Sequence, residues 1–198
     1  MDTRDRILDA AAHVMRTRGF ARTTTKQIAR AAGYSEATLY KHFTDKSDLF
    51  LAVLHERLPG SASFPALLDE HGDGSLRDRL AAAAAGAITF YQASFPVSAS
   101  IFSEPDLLAA HRAAVTRRGL GPQRPVEMLA GFLRDEQRRG AVRDGADCDA
   151  AAALLLGACF QYAFLRAFAQ RPADPEAAGE FAQSVTDTLL GGLVPAAR

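Results

Sequence analysis

Between Ser35 and Phe43 the chain sets two kinds of side chain side by side. Leu39 and Phe43 are apolar, while Glu36, Thr38, Tyr40, Lys41 and His42 donate or accept hydrogen bonds. A short helix divided in this way can anchor one face in a small core. Its other face can then present donors and acceptors to base edges and phosphates, which is the division of labour a nucleic-acid-reading helix needs. Thr25 and Lys26 upstream and Lys46 downstream add further donors. Lys46 falls in the first turn of the helix that follows. There an ammonium and the free backbone N–H groups of a helix N-terminus can hold a phosphate together.

Other chemistries find little support. Beyond residue 58 there is no nucleophile-elbow, P-loop, zincin or dinucleotide-binding pattern, so no enzyme is expected, and no metal or cofactor. His71 and His111 have no neighbouring ligand cluster. Cys148 and Cys159 make neither a disulfide framework nor a four-ligand zinc site, and Cys159 reads as a small buried hydrophobe.

The elements that must position these residues are helical. Among 198 residues, 40 are Ala, against 4 Ile and 8 Val, a balance that favours helix over strand. An all-α fold of about nine helices is expected, with no internal repeat. The first spans residues 3–18, with Thr3 as N-cap, Ile7, Leu8, Ala11, Val14 and Met15 on one face, and Gly19 as C-cap. Thr24-Thr25-Lys26-Gln27 is a capping box opening a helix that ends at Gly33. Ser35 caps a third to about Phe43, and a fourth runs from Asp45 towards Leu58, where Pro59 stops it. The Gly33-Tyr34 turn makes the second and third a helix-turn-helix.

Residues 59–75 read as loop with one helical turn near Leu67. Five helices then follow: Ser75 to Phe95 before Pro96, Pro105 to Gly119, Pro122 to Arg139, Asp147 or Asp149 to Gln170, and Asp174 to a fading end at Gly191-Gly192.

Formal net charge is zero, which taken alone argues against a nucleic-acid binder. The distribution reverses that inference. Residues 1–47 hold 9 Lys or Arg against 5 Asp or Glu, and residues 48–198 hold 14 against 18. All three lysines lie in the first segment. The charged N-terminus lacks the apolar stretch of a signal peptide, and the longest apolar run, residues 150–165, is shorter than the ~20 residues that span a bilayer. A cytoplasmic protein without membrane association is expected.

Gly19-Phe20, Thr24-Thr25-x-x-Ile28-Ala29-x-x-Ala32-Gly33 and Ser35-x-x-Thr38-Leu39-Tyr40-x-His42-Phe43-x-x-Lys46-x-x-Leu49 together resemble the DNA-binding domain of the tetracycline-repressor (TetR/AcrR) family. The resemblance covers about residues 4–54. It implies a helix-turn-helix head over residues 1–47, a connecting helix over 46–58, and a ligand-binding and dimerisation domain over 59–198. Thr25, Thr38, Tyr40 and His42 match positions that face the DNA backbone or nearby bases. Lys26, Glu36, Ala37 and Lys41 match positions that approach base edges. There lysine suits guanine acceptors, glutamate the cytosine amino group, and the Ala37 methyl the thymine methyl.

The resemblance further implies a pocket for a small, largely apolar effector. Its candidate lining is Phe90, Tyr91, Phe95, Phe102, His111, Phe132, Phe160, Tyr162 and Arg166. It implies a homodimer through the last two helices, with Leu155, Gly157, Ala158, Phe181, Val185 and Leu189 as interface candidates, and therefore a palindromic double-stranded operator. The expected function is a repressor released by its ligand. An activator or ligand-independent regulator with the same head remains an alternative, as does an all-α enzyme or carrier that retains the head.

Overall fold

The computed structural model describes residues 2–59, 74–102, 104–119 and 121–193. Among them are nine α-helices and one 3₁₀ turn, and no strand. In chain order these are α1 (Thr3–Arg18), α2 (Thr25–Ala32), α3 (Glu36–Tyr40), α4 (Lys46–Glu56), α5 (Leu76–Ser98), the 3₁₀ turn Ala99–Ile101, α6 (Pro105–Arg117), α7 (Arg124–Arg138), α8 (Cys148–Phe168) and α9 (Pro175–Leu193). The all-α expectation holds. The helical turn near Leu67, and His71, lie outside the described residues.

The chain forms two compact units, neither of them one continuous stretch. One takes Met1–Ser61 and Ala93–Gly121, the other Ala62–Gln92 and Pro122–Arg198. The first contains the head and the connecting helix, and it adds a segment, Ala93–Gly121, that the sequence assigned to the larger domain.

In the first unit, Ile7, Leu8 and Met15 of α1 meet Ile28 of α2, Leu39 of α3, and Leu49 and Phe50 of α4, all fully buried. Phe20 and Phe50 pack with ring centroids 4.4 Å apart. Val97 and Ile101 close the same cluster, and the Phe20 amide donates to the Val97 carbonyl at 3.2 Å. Truncating any one of these leucines to Ala should cost about 2–5 kcal/mol, because a packed site collapses only partly.

Local chemistry sets the ends of these helices. The Thr24–Gln27 capping box forms as expected, and Gly33 ends α2 at φ 80°, a left-handed conformation that strains any residue with a Cβ. Asp2, not Thr3, caps α1: its carboxylate accepts from the Thr3 amide at 2.5 Å. The third helix ends at Tyr40, not Phe43; beyond it the amides of His42 and Phe43 both fold onto the Leu39 carbonyl.

In the second unit the first part of α5 packs with α7, α8 and α9. Its core includes Leu80, Ile88, Leu129, Leu133, Leu155, Cys159 and Leu190. Asp147 caps α8, accepting from the Ala150 amide at 2.9 Å. Arg77 grips Asp187 through two bonds of 2.6 and 2.8 Å.

Two expected stops fail. α5 continues through Pro96 to Ser98, and α9 continues through Gly191-Gly192 to Leu193. The second has a visible cause. Arg143 donates through Nε to the Gly192 carbonyl at 2.7 Å and through its amide to the Leu193 carbonyl at 2.9 Å, fixing the last turn from outside. By length and composition α5 and α8 would each suffice to cross a membrane, a test that a core helix also passes.

Candidate nucleic-acid interface

The head places its polar residues on a small rigid base. Gly33 lets α2 turn sharply into α3, and the Tyr34 amide donates back to the Ala29 carbonyl at 2.9 Å. Arg6 of α1 fixes Tyr34 from the side, its guanidinium 5.2 Å from the ring centroid and 3.2 Å from the hydroxyl. The Ser35 hydroxyl then caps α3 by accepting from the Thr38 amide at 3.2 Å. With Leu39 and Phe43 buried below, Ala37, Tyr40, Lys41 and His42 are exposed, and Glu36 and Thr38 are half-buried. Lys26 is exposed at the start of α2.

Three of the predicted residues form one hydrogen-bonded cluster. Thr25, buried at the first position of α2, donates to Glu36 Oε1 at 2.5 Å, and its hydroxyl lies 3.2 Å from that of Tyr40. Glu36 is thus held by one oxygen to the preceding helix. Thr38 is also engaged, its hydroxyl 2.9 Å from that of Ser35.

Lys46 is the first residue of α4, as expected, but its ammonium is turned back. It lies 4.4 Å from the Phe20 ring centroid and donates to the Ala21 carbonyl at 3.3 Å. Burial lowers its pKa, an effect that the nearby Glu104 carboxylate opposes. Asp45 caps the helix, accepting from the Asp48 amide at 2.7 Å, and Asp48 accepts from the Thr44 amide at 3.0 Å.

These two carboxylates meet arginines that sequence reasoning did not select. Arg117 reaches Asp45 at 3.3 Å, and Arg118 pairs with Asp48. Both arginines come from the end of α6, some seventy positions along the chain, so no local signal connects them to α4. Arg22, exposed just before the Thr24 cap, is a further cation of the head outside the candidate set.

The effector candidates fall in different places. In the first unit, His111 packs edge-on against Phe50 with centroids 5.3 Å apart, its Nδ1 buried without a hydrogen-bond partner, and burial lowers its pKa. Phe95 is half-buried, while Phe102 is 75% exposed. In the second unit, Tyr91 touches Phe90 and Phe160 at 5.8 and 5.4 Å between centroids, and burial pushes its phenol up to about 12. Phe132 is core, covered by the Arg79 guanidinium at 4.3 Å. Tyr162 stacks on Phe181 at 4.6 Å, and Arg166 reaches the Tyr162 hydroxyl at 3.5 Å. Tyr162, Arg166, Leu165, Ala169 and Arg171 line an open cleft of about 320 Å³. A second open cleft, of about 280 Å³ between Arg77, Ala81, Gly179 and Gln183, contains none of the candidates.

Of the interface candidates, Leu155 is fully buried within its own unit and can offer no surface to a partner. The uncovered side of α8 instead carries Leu154, Gly157, Phe160, Phe164, Leu165 and Phe168, with Leu154 66% and Phe168 80% exposed. Ala158, Phe181, Val185 and Leu189 are half-buried.

A helix-turn-helix whose second helix shows donors and acceptors to solvent, on a chain otherwise built of helices, defines a DNA-binding regulator. Comparison with known proteins shows which regulators it is similar to. Residues 7–53 match the family model described as bacterial regulatory proteins, tetR family. The chain is 28% identical over 147 residues to the HTH-type transcriptional regulator YvkB of Bacillus subtilis (strain 168), an alignment covering 74% of each chain. It is 45% identical over 52 residues to the HTH-type transcriptional regulator AcrR of Shigella flexneri, covering 26% of this chain and 24% of that one. A Mesorhizobium loti MAFF303099 crystal structure assigned to the TetR family has the same fold. Its TM-score is 0.74 at 23% identity, over 98% of this chain and 97% of the other. Residues 7–53 thus carry the DNA-binding domain of the tetR family, and the chain is a DNA-binding transcriptional regulator.

Proposed function

We propose that this regulator is a cytoplasmic repressor that binds a palindromic operator as a homodimer and leaves it when a small, largely apolar molecule binds residues 76–198. The observation that carries this reading is the exposed face of α3 beside the basic loop and helix starts of the head. In this reading Lys26, Glu36, Ala37 and Lys41 approach base edges, Thr25, Thr38, Tyr40 and His42 serve the backbone or nearby bases, and the Lys46 ammonium swings out from Phe20 to meet a phosphate. Support for a dimer comes from the apolar uncovered side of α8, larger than a lone soluble helix needs. Two reading helices related by a two-fold axis would then address half-sites about one DNA turn apart, ~34–36 Å. Support for an apolar effector comes from the aromatic side chains of α5 and α8, Tyr91 and Phe160 among them, with Tyr162 and Arg166 as polar groups at an open cleft.

The ligand acts only through its differential affinity for the operator-competent and incompetent dimers. The test is an anisotropy titration of the full chain against duplexes selected from a randomised pool. Tight binding to a two-fold symmetric sequence, falling steeply with salt, is expected. Absence of salt-sensitive binding overturns the DNA-binding role, and a selected site without symmetry overturns the dimeric one.

A further inference from the structure

We infer that Thr25 makes Glu36 and Tyr40 compete for one proton, so that Glu36 restrains the contact between Tyr40 and the DNA backbone. The inference rests on the DNA-reading role of the head. It begins with donor accounting. Thr25 has one hydroxyl proton, and the carboxylate of Glu36 can only accept. The 2.5 Å contact from Thr25 Oγ1 to Glu36 Oε1 therefore uses that proton. The 3.2 Å contact between Thr25 and Tyr40 must then run the other way, with the Tyr40 hydroxyl donating to Thr25.

In this arrangement Tyr40 points its proton inward and shows solvent an oxygen with lone pairs only. A phosphate is likewise all acceptor. The half-exposed Tyr40 ring therefore stands at the surface with its hydroxyl oriented against the group it would touch. To donate outward it must abandon Thr25, leaving that buried oxygen short of a partner.

Withdrawing Glu36 removes the conflict. With the carboxylate gone, the Thr25 proton turns to the Tyr40 oxygen, and the Tyr40 proton turns outward to the phosphate. Every group stays bonded, and only two hydroxyl rotations are needed. In the free protein Glu36 therefore holds the backbone contact off. A base amino group that draws the carboxylate away would release it. That couples a base-edge event to a phosphate contact, and it weakens contacts on DNA where no such amino group lies opposite Glu36. Thr25, buried between the two, is the positioning residue.

The test is the cost of Tyr40→Phe for binding a labelled random-sequence duplex at fixed salt, measured in several backgrounds of the full chain. The loss should be larger in Glu36→Ala than in the natural sequence, by about three- to ten-fold, the worth of one net hydrogen bond. Removing the Glu36 charge tightens binding by itself, but equally with Tyr or Phe at position 40, so it cancels from this comparison. In Thr25→Val the Tyr40→Phe loss should no longer depend on Glu36. Thr25→Ser, which keeps the hydroxyl, should restore the dependence and guards against a Val variant that fails to fold. Equal Tyr40→Phe losses with and without Glu36 overturn the inference, as does a dependence that persists in Thr25→Val. If the unsubstituted chain binds no duplex, the DNA-reading role itself fails first, a result distinct from binding without coupling.

Discussion

Lys46→Met separates the internal contacts that the structure gives this ammonium from the phosphate contact proposed for it. The substitution keeps an apolar stem and removes the charge. Within the protein it deletes a cation–π contact at 4.4 Å from the Phe20 centroid and a bond to the Ala21 carbonyl at 3.3 Å. The first is worth about 0.5–2 kcal/mol and the second about 1 kcal/mol. Burial, which lowers the lysine's pKa, subtracts from both, so a net loss near 1 kcal/mol is expected. In a melt this is a fall of about 2–4 °C for a domain of this size.

At the DNA the loss has a different signature. Each neutralised phosphate contributes about 0.9 to the slope of log affinity against log salt, so if the proposed dimer holds one phosphate with each Lys46, losing both lowers it by about 1.8. The penalty of the substitution should therefore shrink about twelve-fold between 50 and 200 mM salt. Anisotropy titrations of both proteins at several salt concentrations measure it. A melting shift with an unchanged salt slope would refute the phosphate role and leave Lys46 as a brace for Phe20.

Three further outcomes are open to simple assays. Both thiols should resist a chromogenic thiol reagent at pH 8 in the folded state and react on denaturation, because burial pushes Cys159 up to about 12 and raises Cys148; fast reaction of either would contradict the core assignment. His111, held below its ordinary value by burial, binds its proton less readily folded than unfolded. Its contribution is intact above pH 6.5 and is lost as pH falls through the lowered folded value, so His111→Phe should reduce the drop in melting temperature between pH 7.5 and 5.5; an unchanged drop would refute this. Phe164→Glu, on the uncovered side of α8, should yield monomers by sedimentation at micromolar concentration, and an unsubstituted chain that is already monomeric there would remove the interface proposal.

How far the sequence could be read depended on the range of the interactions. The Thr24–Gln27 capping box and the Gly33 turn lie within a few residues, and both form as their chemistry demands. The end of α9 did not follow, because Arg143, from another part of the chain, holds the carbonyls that two glycines would have released. Which face of α8 is covered was equally hidden. A helix apolar on all sides carries no polar stripe, so Leu155, buried, and its neighbour Leu154, exposed, look alike in sequence. In the head, the residue types were legible but their pairing was not. Glu36 meets Thr25 only because the turn sets two helices at one particular angle, and Arg118 meets Asp48 only through the return of α6.

That return bears on how such a head could be exchanged between proteins. A graft cut after α4 would carry every residue proposed to face DNA and would still be incomplete. It would lack Val97 and Ile101, which cap the core, and the Val97 carbonyl that receives the Phe20 amide. It would also bring Asp45 and Asp48 at the start of α4 without Arg117 and Arg118 to neutralise them. A working transplant must move two pieces, residues 2–59 and 93–119, and so inherits sequence from well beyond the head. Reading specificity in this chain is portable only together with the segment that returns to support it.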